Sequence, residues 1–259
     1  KDNTRRYVIL QGADNLFRYE YQGVKFYFID NEFYFTGTTP YTDMEADIEK
    51  FCYFSKAALA ILPVVDFRPD IIHCHDWQSG LVPVYLKTMF AGIPFFDGIK
   101  TVFTIHNLQF QGMTGLERLK DLSGLPSNIF TPDKLECYGG ANMLKGGLVY
   151  ADEITTVSDT YAEEIQMPYY GERLDGLLRA RNNHLTGIVN GIDYDIYNPM
   201  TDPYLEYNYS SEDGPELKAI NKKALQRRVG LPENADIFTI GVISRLTDQK
   251  GFDLIDYVM

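Results

Sequence analysis

Two short apolar runs in this chain end on histidine and stop: Asp70-Ile71-Ile72-His73-Cys74-His75-Asp76-Trp77 and Thr101-Val102-Phe103-Thr104-Ile105-His106-Asn107. Runs of this length, continuous rather than alternating and bounded by polar residues, predict strands buried on both faces, as in a parallel sheet. In open α/β sheets ligands bind in the crevice beyond the carboxyl ends of the strands. The polar clusters that close these two runs are therefore the first candidates for a functional site.

The rest of the chain keeps a strand and helix rhythm. Gly23 to Asp30 alternates too weakly for a half-exposed strand and is read as a buried one. Between residues 46 and 62 the positions Ile48, Phe51, Cys52, Ser55 and Leu59 follow a helical step, with Pro63 near its end. Ser79 is placed to cap a helix through Leu86 that admits Pro83 in its first turn or with a kink. The stretch from Gly115 to Pro132 reads as a long Gly- and Pro-punctuated loop, a kind that is usually functional. Helices are expected over 142–150 and 174–181, and strands over 153–157 and 185–189. Thr160-Tyr161-Ala162-Glu163 has the pattern of a capping box for the helix between those strands.

From Tyr194 to Gly214 no period is sustained, which suggests a hinge or linker. Pro215 then opens a helix with Leu217, Ile220, Ala224, Leu225 and Val229 on one face and Gly230 as its stop. Ile237 to Ile243 reads as another buried strand, followed by Ser244-Arg245-Leu246-Thr247-Asp248-Gln249-Lys250-Gly251 and the start of a helix.

Bulk properties limit the function classes. With 259 residues, 45% of them hydrophobic, the chain can bury a substantial core. Its formal net charge of -12 argues against a nucleic-acid or anionic-membrane surface, since both need a basic field over much of a face. Any anionic ligand must be held by a few local cations. No run has the length of a membrane-spanning helix. Cys52, Cys74 and Cys137 are odd in number and far apart, which fits neither a disulfide framework nor a zinc spacing and suits a reducing, cytoplasmic compartment. The chain opens Lys1-Asp2-Asn3 and closes at Met259 within an expected helix, so it reads as a piece of something longer.

The strand-end residues admit several chemistries. His73 and His75 share one strand face, as metal ligands sometimes do, yet a metal site needs further ligands and the chain has four histidines in all. Satisfied histidines in a packed sheet explain that pair equally well. Asp76 and Trp77 suit a polar ligand stacked on an aromatic face. His106, Asn107 and Gln111 offer donors and acceptors in fixed directions, a set suited to hydroxyl groups. Asn190-Gly191 ends a strand where a positive φ at the glycine would bring backbone close to a ligand. Arg245 and Lys250 flank a loop that leads into a helix N-terminus, an arrangement suited to a diphosphate.

Four segments together resemble a known family. His73-Cys74-His75-Asp76-Trp77-Gln78-Ser79-Gly80-Leu81, Phe103-Thr104-Ile105-His106-Asn107-Leu108-Gln109-Phe110-Gln111-Gly112, Val189-Asn190-Gly191-Ile192-Asp193 and the Ser244 to Gly251 loop are similar, in order and spacing, to the signatures of bacterial glycogen synthase and plant starch synthase. The resemblance implies an α/β fold of the GT-B type, with two Rossmann-like domains facing across a cleft. In this chain they would be an N-terminal, acceptor-side domain over 1–189, a hinge and linker helix over 190–235, and the beginning of a nucleotide-sugar domain over 236–259.

The implied activity is retaining transfer of glucose from ADP-glucose to the non-reducing end of an α-1,4-glucan, with no metal and no cofactor beyond the donor substrate. By the same likeness Arg245 and Lys250 grip the donor diphosphate, His106 contacts the transferred glucose, Asp76 lies near the reacting sugar and Asn190 lies at the hinge side. The expected partners are a nucleotide sugar and an α-glucan, with no nucleic acid and no membrane. The family's Lys-Thr-Gly-Gly-Leu loop and its downstream acidic motif have no counterpart between Lys1 and Met259, so the piece alone is expected to be inactive and the strand from Ile237 to expose apolar surface. Whether the donor base is adenine or uracil, and the oligomeric state, stay open. So do three other readings: a different retaining GT-B transferase such as sucrose synthase, a metal-dependent hydrolase built on His73 and His75, and a glucan-binding piece without catalysis.

Overall fold

The protein is described from a computed structural model covering residues 6–9, 15–36 and 39–259. The chain divides into two compact units, Lys1–Asn190 and Gly191–Met259.

The first unit is built on a four-stranded sheet, every pair of which is parallel. Its strands are β4 (Ile71–His75), β5 (Lys100–Ile105), β9 (Glu153–Thr156) and β10 (Leu185–Gly187), side by side in chain order. Before it come β1 (Arg6–Ile9), β2 (Asn15–Tyr21) and β3 (Val24–Asp30), an antiparallel meander. A small antiparallel sheet of β6 (Met113–Gly115), β7 (Glu136–Cys137) and β8 (Gly140–Asn142) lies between β5 and β9 in sequence.

Burial follows position in the sheet. β5, between two partners, hides Thr101, Phe103, Thr104 and Ile105, whereas β4 has one partner among the described residues and leaves Ile71 and His75 exposed. The expectation of burial on both faces thus holds for the inner strand and fails for β4. It fails for β3 as well: Val24, Phe26 and Phe28 are exposed, and the register sets Phe26 opposite Tyr19 on one aromatic face. A long apolar run signals burial only where another layer covers it.

Helix α1 (Met44–Val64) starts on Asp43, whose carboxylate accepts from the Glu45 and Ala46 amides. Its expected stripe, Ile48, Phe51, Cys52, Ser55 and Leu59, is buried, and Pro63 sits one residue before its end. Helix α2 (Leu81–Lys87) carries Pro83 in its first turn, where the missing N–H costs nothing. The stretch 115–132, read as loop, holds α3 (Leu116–Ser123), to which the buried Tyr85 hydroxyl is tied by donating to the Ser123 carbonyl at 3.2 Å.

Helix α4 (Met143–Tyr150) is capped by the buried Asn142 and crosses β5 closely: a Cβ on Gly147 would fall 2.3 Å from the Phe103 ring. Helix α5 (Asp159–Glu164) is capped by Ser158, two residues before the expected Thr160, because the Ser158 hydroxyl reaches the Tyr161 amide. Helix α6 (Asp175–Ala180) completes the last crossover.

The second unit contains α7 (Pro215–Arg228) and α8 (Phe252–Val258). Ile237 to Ile243 forms no strand, and Phe238, Ile240 and Ile243 are exposed. A strand exists only through a neighbour, and none is present among the described residues. Ile220 and Leu225 of α7 and Val229 just after it, expected on a packed face, are exposed as well.

Candidate functional site

The parallel register sets His75 of β4 opposite Thr104 of β5, and the Asp76 amide prolongs the ladder by donating to the Thr104 carbonyl at 3.0 Å. Just beyond the ladder the backbone of Asp76 turns to φ 55°, ψ -174°. That region is nearly restricted to glycine and costs a side-chain-bearing residue about 1–3 kcal/mol. The turn lets the Asp76 carboxylate accept the His106 amide at 2.7 Å, so the ends of β4 and β5 are joined through a side chain. Backbone strain of this kind clusters at functional sites.

Three histidines line up here. His73 and His75, on one face of β4, bring their rings into tilted contact with centroids 4.2 Å apart. His75 Nδ1 lies 3.1 Å from His106 Nε2, and His73 Nε2 lies 2.6 Å from the Thr104 hydroxyl, which contacts the Thr155 hydroxyl of β9. Burial first, then the neighbouring imidazoles, hold the pKa values of His73 and His75 below the usual histidine value, with Asp76 opposing weakly at His75. These rings are neutral near pH 7. Among the described residues no group of three or more His, Cys, Asp or Glu side chains is placed to hold a metal ion.

The loop after His106 is fixed from several sides. Asn107 Oδ1 accepts the Gln109 amide, and the Leu108 amide donates to the Tyr161 hydroxyl of α5. The Gln111 and Gly112 carbonyls accept amides from the first turn of α4. The Gln111 side chain donates to the Leu108 and Glu172 carbonyls and accepts from the Asn142 side chain at 2.5 Å. Gln111, expected to meet a ligand, is thus committed to holding its own loop.

Two further expectations change. Trp77 is 4% exposed, with Phe51 edge-on at 5.1 Å and Gly112 against its ring, so its indole is a core group and offers no platform for a ligand. The Ser79 hydroxyl turns back to β4, accepting from the His75 amide at 2.6 Å and donating to the His75 carbonyl, and so does not cap α2.

Beside the loop a cavity of about 400 Å³ is lined by Phe110, Gly112, Met113, Tyr138, Glu172 and Arg173, with the Arg173 guanidinium 5.3 Å from the Tyr138 ring centroid. Tyr138, Glu172 and Arg173 have φ of 50°, 45° and 67°. The one local signal for these residues in the sequence is the polar Tyr170-Gly171-Glu172-Arg173 turn. A larger cavity of about 1130 Å³ lies within the second unit along α7, and no site residue borders it.

Asn190 is exposed at the end of the first unit, and Gly191 does not take the positive φ anticipated for it. In the second unit Arg245 and Lys250 are exposed on the loop before α8. Neither has a side-chain hydrogen bond or ion pair among the described residues.

Residues 6–180 match the family model of the starch synthase catalytic domain. The chain belongs to that family. Among its starch synthase relatives, a glycogen synthase of Lachnospira eligens is 61% identical over 244 residues, covering 94% of this chain and 51% of that protein. A glycogen synthase of Lachnoclostridium phytofermentans is 57% identical over 241 residues, 93% of this chain and 50% of that protein. The catalytic domain of starch synthase IV from Arabidopsis thaliana, bound to ADP and acarbose, superposes with a TM-score of 0.81 at 31% identity, over 99% of this chain and 53% of that one. The chain therefore spans about half the length of the curated relatives it matches. With its parallel sheet, it has the α/β architecture of a GT-B starch synthase catalytic domain.

Proposed function

We propose that the protein containing this chain is a retaining glycosyltransferase that moves glucose from ADP-glucose to the non-reducing end of an α-1,4-glucan, in the cytoplasm. The observation that carries the reading is the strained Asp76 backbone, whose carboxylate fixes the first residue after β5 at the carboxyl edge of the parallel sheet. The names of the glycogen synthase relatives support the reaction, and the ADP and acarbose bound by the Arabidopsis neighbour support the donor and acceptor classes.

In this reading His106 meets the transferred glucose and Asp76 sets its position. Asn107 and Asn190 contribute amides to the sugar cleft. Arg245 and Lys250 hold the donor diphosphate, and as the glycosidic bond breaks they stabilise the charge gathering on the departing ADP. Positive charge at the leaving group replaces the general acid of a glycosidase, so a pair of catalytic carboxylates is not required.

The test is made in the full-length enzyme. Arg245→Ala and Lys250→Ala should each lower kcat by about 10²–10³ while leaving the melting temperature unchanged. Wild-type turnover in both variants would overturn the diphosphate assignment, and no incorporation of glucose from either ADP-glucose or UDP-glucose by the parent enzyme would overturn the reaction.

A further inference from the structure

We propose that His75 is a positioning residue which fixes the ring and the tautomer of His106, so that His106 presents an unprotonated Nδ1 and accepts a hydrogen bond from a ligand hydroxyl. Calling that hydroxyl a sugar's rests on the glycosyltransferase reading above. The coupling of the two rings does not.

A hydrogen bond between two imidazoles in their neutral forms holds one N–H between two ring nitrogens, so one nitrogen must donate and the other accept. His75 Nδ1 and His106 Nε2 stand 3.1 Å apart, which makes their tautomers a single choice. If His106 donates from Nε2, both rings keep the Nε2–H form that free imidazole side chains favour. If His75 donates from Nδ1, both rings take the less favoured form. The first arrangement is the stable one, and it leaves His106 Nδ1 as an acceptor.

The surroundings hold this choice in place. Ser79 clasps the His75 amide and carbonyl, the His73 ring lies tilted against the His75 ring, and Asp76 Oδ1 holds the His106 amide. Consecutive residues of one strand end thus grip His106 at two points, His75 at the ring and Asp76 at the backbone. Orientation through a second histidine parallels the way a partner on one ring nitrogen sets the state of the other in metal and protease sites.

The experiment is a long-range proton–nitrogen correlation spectrum of the imidazoles in this chain, recorded without sugar or nucleotide near neutral pH. With four histidines the signals are few, and His184, whose Nδ1 lies 3.0 Å from Glu153 Oε1, serves as internal reference. In the parent protein His106 should show a protonated Nε2 and a bare Nδ1. His75→Phe, which keeps a ring and removes both nitrogens, should move the His106 nitrogens toward the average of the two tautomers. His75→Asn, whose side-chain oxygen can accept in place of Nδ1, should restore the parent pattern. A protonated His106 Nδ1 in the parent, an unchanged His106 in His75→Phe, or no restoration by His75→Asn would overturn the proposal. Because no substrate is present, loss of the glucosyl-transfer reading would leave these spectra as they are.

Discussion

Gly112 shows how much a single position can decide. Its φ is 62°, and a Cβ there would lie 2.3 Å from the Trp77 ring, so both the backbone and the space call for glycine. Gly112→Ala should cost about 3 kcal/mol or more, since neither the buried indole nor the tied loop can retreat. Urea denaturation would measure it. The same contact covers the Trp77 indole: the sequence places that ring at a strand end, but only the returning loop buries its face. The placement of Asp76 and His106 just past β4 and β5 was legible, because the apolar runs that lead to them are local. The use of Gln111 within its own loop was not, because its partners Asn142 and Glu172 come from distant segments.

At the scale of elements, polar groups from one segment complete the ends of another. The Arg181 guanidinium donates to the Leu148, Val149, Ala151 and Asp152 carbonyls at 2.9–3.2 Å, closing the C-terminus of α4. Arg181→Met should cost about 2–3 kcal/mol, and Arg181→Lys should recover little, because an ammonium lacks the planar fork. Chemical denaturation of the two variants checks both statements.

Asp152 ties the start of β5 to α2. Burial alone would raise its pKa, but hydrogen bonds from Lys87 and from the Thr101 amide and hydroxyl outweigh that and hold it at about 2. A carboxyl depressed in the folded state stabilises the fold above its unfolded pKa and loses that contribution as pH falls through the folded one. Asp152→Asn should therefore destabilise by about 1–2 kcal/mol at pH 7, and the deficit should shrink between about pH 4 and pH 2. A deficit equal at pH 7 and pH 2 would contradict the assignment. Most strands and helices were legible within a few residues, since their periods are local. The cap at Ser158 and the helix inside 115–132 were not, because short capped turns and longer irregular loops share the same residue types.

Across the whole chain, the two units differ in how their backbone is held. In the first unit β5 is hydrogen-bonded on both sides and its side chains are largely buried, whereas in the second Phe238 to Ile243 has no ladder among the described residues and is exposed. Amide hydrogen exchange should accordingly be slowest in β5 and β9 and fast from Phe238 to Ile243. Comparable protection in the two segments would show that the second unit buries this run.

The sequence by itself determined the α/β rhythm of the first unit and the two strands that end at Asp76 and His106, because period and punctuation are properties of neighbouring residues. Tertiary structure decided what lies beside what: that β4 and β3 are largely exposed while β5 is buried, that Trp77 is core, and that two histidines of β4 meet the one that follows β5. Burial and hydrogen-bond partnership depend on segments far apart in the chain, and only parallel register and packing bring those together.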